Sequence, residues 1–416
     1  MAATTTSSNV LGINGMGRIG KLTLWHHVAR RYFDHLVVNT GRPVGGGLAA
    51  IAQTIEKDST YGLLHRFLYG CRAERLIEIL DEEAGELRID GLPVTVLRQS
   101  RNPAQVEWQA HGVQVVVDAT GRFRDPLAPA DAPSGALRGH LEAGARTVIS
   151  SAPFKIKTGV IPDDAAMLIY GINHTSYDPA RYQIISAASC TTTALAHMVR
   201  PLLEHELTSR ILTASMSTVH ATTNTQSTLD TVPQSGTSDL RKNRSTLDNI
   251  ILTSTGAALA LEQVIPEVRK IGFMADSVRV PTRTESLIIL NCTFLSQLDQ
   301  RGESLINQEL LLRIYREAAE GTQKSLLRLS MEQNVSSDLI GVDAAVVIEA
   351  QAMHTRTGMI TLDLQQIGGI PTQTMQRSEV QIPVTHAKIF GWYDNEYGSY
   401  VNRLGDLTCY VHSQIW

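Results

Sequence analysis

The chain has 416 residues, of which 43% are hydrophobic and 19% are charged, and its formal net charge is -4. A chain of this length is expected to form two domains, and its composition excludes a disordered or collagen-like protein. The small acidic excess argues against a generally basic nucleic-acid binder, and no apolar run reaches the roughly 20 residues that a membrane-spanning helix needs.

The cysteines are Cys71, Cys190, Cys292 and Cys409, which lie far apart and form no C-x-x-C pair. This spacing indicates neither a disulfide scaffold nor a cysteine zinc site, and we expect no bound metal. Residues 1–9 have neither a basic start nor an apolar stretch, so they do not have the pattern of a secretory signal. We therefore expect a cytoplasmic protein.

The first part of the chain predicts an open, parallel α/β sheet. An apolar strand at residues 10–14 is followed by a glycine-rich turn, a helix over 18–31 and a second apolar run at 36–39. Strand, turn, helix and strand within about 30 residues form a βαβ unit, whose strands are parallel. The pattern continues in three further apolar runs, at residues 113–117, 147–149 and 183–185. Each is followed by small polar residues, where such sheets bind ligands.

The second part of the chain predicts an α+β domain with a mixed or antiparallel sheet. A helix is predicted directly after Cys190 and another over residues 313–329. Longer, more alternating runs predict strands at residues 211–219, 277–281 and 286–294. The Gly-, Gln- and Thr-rich residues 365–376 are predicted to form a loop within an insertion around residues 363–383.

A G-x-G-x-x-G motif lies between the first predicted strand and the first predicted helix. Its glycines are Gly15, Gly17 and Gly20. Glycines allow the backbone to approach a pyrophosphate, and the N–H groups of a helix N-terminus carry a partial positive charge. The motif alone also fits an ordinary strand-to-helix turn, but its context favours dinucleotide binding.

The end of the second predicted strand lacks the carboxylate that usually binds the adenosine ribose hydroxyl of NAD. This chain has Thr40 there, followed by Arg42. A neutral side chain with a nearby cation avoids repulsion of a 2′-phosphate, which predicts use of NADP or of both cofactors. The alternative is that Arg42 is a solvated loop residue and that NAD binds through its other contacts.

Cys190 and His220 are the candidate nucleophile and base. Cys190 lies at the predicted start of a helix, whose dipole favours a thiolate, and His220 ends a predicted strand. On residue types alone, a buried core cysteine and a hydrogen-bonded histidine are the more common interpretation.

Seven motifs resemble those of the phosphorylating glyceraldehyde-3-phosphate dehydrogenase family. They are N-G-M-G-R-I-G at 14–20, K-D-S-T-Y-G at 57–62, A-S-C-T-T at 188–192, T-V-H-A at 218–221, S-T-G-A-A at 254–258, V-R-V-P-T at 278–282 and W-Y-D-N-E at 392–396. They occur in the order of the family. The resemblance implies a Rossmann NAD(P)-binding domain made of residues 1–189 and 395–416, and a catalytic domain made of residues 190–394.

The resemblance also implies a reaction, the oxidative phosphorylation of D-glyceraldehyde 3-phosphate to 1,3-bisphosphoglycerate. Cys190 would attack the aldehyde to form a thiohemiacetal, and His220 would pair with the thiolate and accept the hydroxyl proton as hydride leaves. The hydride would pass to NAD or NADP, leaving a thioester that inorganic phosphate releases.

The binding residues are likewise carried over from the family's motifs. The substrate phosphate is expected at Thr223 and Arg279, and the attacking phosphate at Ser189, Thr191, Thr255 and Gly256. The residues expected at the cofactor are Gly15, Gly17, Arg18, Ile19, Gly20, Thr40, Arg42, Arg101 and Asn395.

The chain departs from the family's motifs at four places. Thr40 replaces the family's NAD-selecting Asp, and Ala119 replaces a Ser near the nicotinamide. Ala187 and Thr193 replace the two Asn residues that flank A-S-C-T-T. After W-Y-D-N-E the family has F-G-Y-S-N, whereas this chain has Y-G-S-Y-V-N at 397–402, so the family's tyrosine is shifted by one residue.

The resemblance implies a homotetramer. From the composition, we expect neither a membrane nor a specific nucleic acid as a partner. One alternative function is erythrose-4-phosphate dehydrogenase, because that substrate also carries a phosphate and an aldehyde. The other is a non-catalytic relative with a binding or regulatory role, which the presence of Cys190, His220 and Arg279 disfavours.

Overall fold

The computed structural model describes residues 9–157, 159–368 and 378–415. The chain divides into two compact units, Met1–Thr193 with Asp394–Trp416, and Ala194–Tyr393. Among the residues that the structure describes, no helix combines the length and the apolar character needed to cross a membrane.

The first unit is built on parallel strands. In chain order its strands are β1 (Val10–Asn14), β2 (His35–Asn39), β3 (Lys57–Asp58), β4 (Gly62–Leu63), β5 (Ile77–Asp81), β6 (Glu86–Ile89), β7 (Leu92–Leu97), β8 (Val115–Asp118), β9 (Thr147–Ser150), β10 (Ala165–Met167) and β11 (Ile184–Ser186). Nine of them form one sheet in the order β10-β11-β9-β8-β1-β2-β7-β6-β5, and β3 pairs separately with β4. The pairs from β10 to β7 are parallel, while β7, β6 and β5 form an antiparallel edge.

The helices of the chain are α1 (Arg18–Arg30), α2 (Leu48–Glu56), α3 (Leu64–Tyr69), α4 (Leu137–Glu142), α5 (Cys190–Glu204), α6 (Ala257–Val264), α7 (Gln308–Glu320) and α8 (Asn402–Ile415). The central strands of the first unit are buried on both faces. Leu11 and Ile13 of β1 face one apolar core, which also contains residues of α1 and α8, while Val10 faces a second core with residues of α4. This double burial explains the uninterrupted apolar runs in the sequence.

The second unit contains a mixed sheet. Its strands are β12 (Ile211–Ala221), β13 (Ile251–Thr253), β14 (Gly272–Val280), β15 (Ser286–Leu295), β16 (Leu327–Ser330), β17 (Val346–Glu349), β18 (His354–Asp363) and β19 (Glu379–Tyr393). Their order is β13-β14-β12-β15-β19-β17-β16, and β18 also pairs with β19. The pairs β12–β14 and β16–β17 are parallel and the others are antiparallel. The two sheets confirm the predicted α/β class with a mixed second sheet.

Two predicted elements of the second unit need correction. The helix predicted over 313–329 is wrong in its second half, because α7 ends at Glu320 and residues 327–330 form β16. Leucines at 326, 327 and 329 had extended the apolar spacing of the helix past Gly321. In the predicted insertion, residues 379–383 pair with β18 as part of a hairpin, and residues 369–377 lie outside the described part of the chain.

Candidate active site

The G-x-G-x-x-G turn joins β1 to α1, and its three glycines differ in what a side chain at each position would meet. Gly15 has φ +98°, and a Cβ on Gly20 would lie 1.8 Å from the Gly15 carbonyl oxygen. A Cβ on Gly17 would meet no described atom within 4 Å. The first glycine therefore permits the turn, the third permits close packing of α1, and the second leaves space for a ligand. Arg18 and Ile19 are the first residues of α1, so their N–H groups lie in its first turn.

The side chain of Arg18 belongs to an ion-pair network that the sequence analysis missed. Its guanidinium pairs with Asp58 and with Glu396, and Lys21 Nζ lies 2.7 Å from Asp58 Oδ2. Burial opposes the charge on Arg18, but its bonds to Glu396 and Asp58 outweigh this effect and raise its pKa. Burial also opposes the charge on Asp58, whose pKa is nevertheless lowered by hydrogen bonds from Lys21, from the Tyr61 backbone and from Arg18. The Arg18 side chain thus anchors the start of α1.

A cavity of about 250 Å³ lies at the carboxyl ends of β1 and β2, and its lining includes Thr40 and Arg101. The Thr40 hydroxyl lies 2.8 Å from the carbonyl oxygen of Arg42 and 3.1 Å from that of Leu97, so it is engaged by the backbone. Arg42 and Arg101 are exposed. Neither guanidinium has a hydrogen-bond or ion-pair partner within the described ranges, which leaves both able to bind an anion.

A buried chain of hydrogen bonds holds two asparagines that line this cavity. Asn39 Nδ2 donates to Asn14 Oδ1 at 2.8 Å, and Asn14 Nδ2 donates to Asp118 Oδ2 at 2.7 Å. His140 Nε2 lies 3.1 Å from the same carboxylate oxygen, and its Nδ1 accepts from the Trp108 indole at 2.9 Å. Because an indole only donates, His140 carries its proton on Nε2 and donates it to Asp118. No pattern in the sequence predicts this network, because its members lie far apart in the chain.

Cys190 is the first residue of α5 and is half-buried. The preceding Ser189 caps the helix, since its Oγ accepts the Thr192 N–H at 3.1 Å. Ala188 has φ +57°, a left-handed conformation that is uncommon for a residue with a side chain. Thr191, a predicted phosphate ligand, is buried in the first turn. A thiol at a capped helix N-terminus is in a setting that favours the thiolate.

A π-helical turn, Tyr397–Val401, accommodates the extra residue that follows W-Y-D-N-E. Its last N–H donates to the carbonyl oxygen of Glu396 at 2.9 Å, a bond that spans one residue more than in an α-helix. The turn places Tyr400 in the interior of the first unit, where its hydroxyl lies 2.6 Å from the Ser151 carbonyl oxygen and 3.2 Å from that of Ala188. The one-residue shift seen in the sequence is therefore absorbed by the backbone.

The predicted cofactor residue Asn395 precedes this turn and is buried. Its neighbour Asp394 fixes the segment: one carboxylate oxygen accepts the Tyr61 hydroxyl at 2.7 Å and the Glu396 N–H at 3.0 Å, and the other accepts the Gly398 N–H at 3.0 Å. These bonds rigidify the backbone on both sides of Asn395.

In the second unit, the parallel pairing of β12 with β14 places His220 opposite Arg279. Arg279 Nη1 lies 2.5 Å from His220 Nδ1 and 3.1 Å from the Ala221 carbonyl oxygen. Burial and then the charge of Arg279 lower the pKa of His220 to about 3, although the bond to the Ala221 carbonyl opposes the shift. The Tyr393 ring stands edge-on at 6.0 Å. His220 is therefore a neutral imidazole, and burial and the guanidinium make it a weaker base than a solvent-exposed histidine.

The other predicted anion ligands of this unit lie at turns. The Thr223 hydroxyl lies 3.1 Å from that of Thr225, and Thr255 Oγ1 accepts the Ala257 N–H at 3.2 Å. Gly256 precedes α6, and a Cβ there would meet no described atom within 4 Å. Open space beside the N–H groups of a helix start suits an anion.

The strand register separates Arg279, a predicted ligand of the substrate phosphate, from Thr255, a predicted ligand of the attacking phosphate. β13 begins with Ile251 opposite Arg279 and ends with Thr253 opposite Ser277, so the chain leads away from Arg279 before it reaches Thr255. His220 and Arg279 are adjacent, whereas Cys190 and the predicted cofactor residues belong to the first unit.

No cluster of three or more His, Cys, Asp or Glu side chains that could hold a metal ion occurs within the described residues.

Two family models match this chain, one in each part of the sequence. The family model for the NAD binding domain of glyceraldehyde 3-phosphate dehydrogenase matches residues 9–126, and the model for its C-terminal domain matches residues 189–363. The first match supports a nicotinamide cofactor. 

Similar curated proteins cover nearly the whole chain. Glyceraldehyde-3-phosphate dehydrogenase of Streptomyces coelicolor is 32% identical over 97% of this chain and 99% of its own length. Glyceraldehyde-3-phosphate dehydrogenase 1 of Bacillus cereus is 31% identical over 97% of this chain and 98% of its own. The cytosolic enzyme of Chlamydomonas reinhardtii is 31% identical over 96% of both chains. This protein therefore belongs to the glyceraldehyde-3-phosphate dehydrogenase family of oxidoreductases.

Proposed function

We propose that this protein oxidises D-glyceraldehyde 3-phosphate to 1,3-bisphosphoglycerate in the presence of inorganic phosphate. The observation that carries the proposal is the contact between a buried, neutral His220 and Arg279, 2.5 Å apart. A base beside a guanidinium fits a substrate that carries both a reacting hydroxyl and a phosphate group. The capped helix start at Cys190 supplies the nucleophile that this reaction needs.

The steps follow from these side chains. His220 accepts the thiol proton of Cys190, and the thiolate attacks the aldehyde carbon. The alkoxide oxygen takes this proton back to form the thiohemiacetal hydroxyl, and His220 accepts it again as the hydride leaves. A bound nicotinamide would supply the hydride acceptor, and the carbon attached to sulfur becomes a thioester. An oxygen of inorganic phosphate then attacks the thioester carbon, forms the acyl phosphate and releases the Cys190 thiolate.

The two phosphate groups require two anion sites. We assign the substrate phosphate to Thr223 and Arg279. The attacking phosphate is assigned to Ser189, Thr191, Thr255 and Gly256. Hydroxyls and helix-start N–H groups suit a phosphate that arrives, reacts and leaves, while the Arg279 fork suits one that stays bound through both steps.

We propose that the cofactor is NADP, or that NAD and NADP are both used. The glycine turn with Arg18 and Ile19 would hold the pyrophosphate, and Asn395 would hold the carboxamide. The open space at Gly17 fits such a group, since no described atom lies within 4 Å of a Cβ built there. The residues expected at the ribose end are Thr40, Arg42 and Arg101. None of them is negatively charged, and the two guanidinium groups are exposed and available to an anion, which supports recognition of a 2′-phosphate.

We also propose that the two units correspond to the domains predicted from the sequence, a cofactor domain of residues 1–189 with 395–416 and a catalytic domain of residues 190–394. A homotetramer is proposed as the assembly. It is supported by apolar side chains of the second unit that remain exposed, among them Leu229, Val232 and Ile250 at 71%, 90% and 76%. The cysteines of the described chain are free, which suits a cytoplasmic location.

The test is a comparison of kcat/KM for glyceraldehyde 3-phosphate with NAD and with NADP, with and without inorganic phosphate. We expect phosphate-dependent turnover that favours NADP or accepts both cofactors. Turnover that strictly favours NAD would keep the reaction but reject the role of Arg42. Turnover of erythrose 4-phosphate alone would reject the substrate, and no turnover with either aldehyde would point to a non-catalytic role.

A further inference from the structure

The π-helical turn gives Tyr400 an unusual set of contacts. The residue is 3% exposed, and its hydroxyl lies 2.6 Å from the Ser151 carbonyl oxygen and 3.2 Å from the Ala188 carbonyl oxygen. These two carbonyls belong to the connections that follow β9 and β11. The phenol thus bridges two neighbouring strand ends at the carboxyl edge of the sheet.

One of these connections leads directly to the candidate nucleophile. Ala188 lies two residues before Cys190 and has φ +57°. For an L-residue with a side chain the left-handed conformation is disfavoured, so it persists only where the surroundings hold it. The Ala188 N–H donates to Ser186 Oγ at 3.1 Å, and the Tyr400 hydroxyl is the contact on its carbonyl side.

The geometry of the peptide transmits this contact to the helix. A peptide unit is planar, so holding the Ala188 carbonyl also orients the Ser189 N–H. Ser189 in turn caps α5 through the Thr192 N–H at 3.1 Å. Burial, and next the negative charge of the Cys190 thiolate, raise the pKa of Tyr400, so the phenol keeps the proton that it donates.

We propose that Tyr400 is a positioning residue for Cys190, and that the π-helical turn exists in this chain to bring its hydroxyl to the Ser151 and Ala188 carbonyls. The proposal rests on the proposed role of Cys190 as nucleophile. In this proposal Tyr400 makes no contact with substrate or cofactor. Its hydroxyl fixes the direction in which α5 begins, and thereby the positions of the Cys190 thiolate and N–H group.

The test is Tyr400→Phe, which keeps the ring and removes the hydroxyl. We expect kcat to fall about tenfold, as for the loss of one hydrogen bond that is needed in the transition state. The KM for the aldehyde and the cofactor Kd should stay within about twofold, because the substrate and cofactor contacts are unchanged. The rate of Cys190 alkylation by iodoacetamide, followed by mass spectrometry of that peptide between about pH 5 and 9, should reach its midpoint at higher pH, because a misdirected helix start stabilises the thiolate less.

Tyr177→Phe is the matched control. It also removes a buried phenol hydroxyl of the first unit, one that lies 3.3 Å from the Thr147 hydroxyl. This variant should leave the alkylation midpoint unchanged even if its melting temperature falls. A shift of the same size in both variants would mean that Tyr400 acts only through stability, and would overturn the proposal.

Ala188→Gly tests the same connection without touching the phenol, and it covers the case in which Tyr400→Phe fails to fold. Glycine adopts φ +57° without strain, so the turn becomes free to move. We expect this change to lower kcat by itself and to make the loss in the double variant smaller than the product of the two single losses. Fully multiplicative losses would show that the two positions act independently.

A final variant separates this proposal from the proposed function. If Cys190→Ala retains turnover, the nucleophile assignment fails and the Tyr400 proposal fails with it. If Cys190→Ala is inactive while Tyr400→Phe keeps the wild-type kcat and alkylation midpoint, only the role of Tyr400 is rejected.

Discussion

Two helix N-termini in the first unit are prepared for ligands in opposite ways. α1 begins after Gly17, which has no side chain to cap the helix, and the described atoms leave open space around it. α5 begins after Ser189, which caps it, and after Ala188, whose left-handed conformation is held from both sides. The first arrangement suits a group that binds and leaves, and the second suits an atom that forms a covalent bond and must not move.

The largest expected effect concerns the chemistry at α5 alone. Cys190→Ala removes the only thiol at that helix start, so turnover should fall by about 10⁴-fold or more. Cofactor affinity, measured by fluorescence titration, should be unchanged because α1 is untouched. A variant that lost cofactor affinity to the same degree would show that the two helix starts are not independent.

The next effect concerns the folding of the α1 turn. Gly20→Ala places a Cβ at 1.8 Å from the Gly15 carbonyl oxygen, a distance that the backbone must relieve by moving. We expect a loss of about 3 kcal/mol or more in the free energy of unfolding, measured by denaturant titration of the full chain. A loss below about 1 kcal/mol would mean that α1 packs less tightly on its turn than the structure shows.

A smaller effect is expected from Gly17→Ala, because a Cβ there meets no described atom. The protein should fold normally, apart from a few tenths of a kcal/mol at the cap. Cofactor affinity should fall about tenfold, because the methyl group would occupy the space proposed for the pyrophosphate. Gly358→Ala is the control, since its Cβ position is also open but lies in β18 of the other unit. Equal affinities for both variants would remove the reason given for Gly17.

The smallest effect should come from Ser189→Ala. It removes the bond to the Thr192 N–H, for which we expect a loss of about 1 kcal/mol in the free energy of unfolding. The thiol pKa of Cys190 should rise, so the pH profile of its alkylation should move to higher pH while cofactor affinity stays the same. An unchanged profile would leave Ser189 a purely structural cap.

Local patterns predicted much of the fold, and contacts between distant residues account for what was missed. The glycine turn and its flanking strand and helix follow from a few adjacent residues. In contrast, the bond between Asp118 and His140 joins a strand end to a helix that follows a long loop, and no periodicity links them. The helix predicted over 313–329 failed because leucines at positions 326, 327 and 329 fit both a helical face and a buried strand.

In the candidate site, too, local motifs predicted some features, while others depend on contacts between distant residues. The motifs around Cys190 and His220 indicated the candidate reacting residues, and the strand register explains why Arg279 lies beside His220. The sequence alone left the tyrosine after W-Y-D-N-E out of register by one residue. Only the π-helical turn, a backbone feature without a residue signature, explains how Tyr400 lies against the turn before Cys190.

The contact between Arg279 and His220 has a consequence for selectivity among aldehydes. Burial, and next the charge of the guanidinium, weaken the imidazole as a base. A phosphate bound at Arg279 would bring a negative charge to this contact and raise the basicity of the neighbouring ring. Unphosphorylated glyceraldehyde would then react slowly even at saturation. The protein would then discriminate between aldehydes through the rate of the chemical step. The phosphate group of the substrate would raise that rate although it does not itself react.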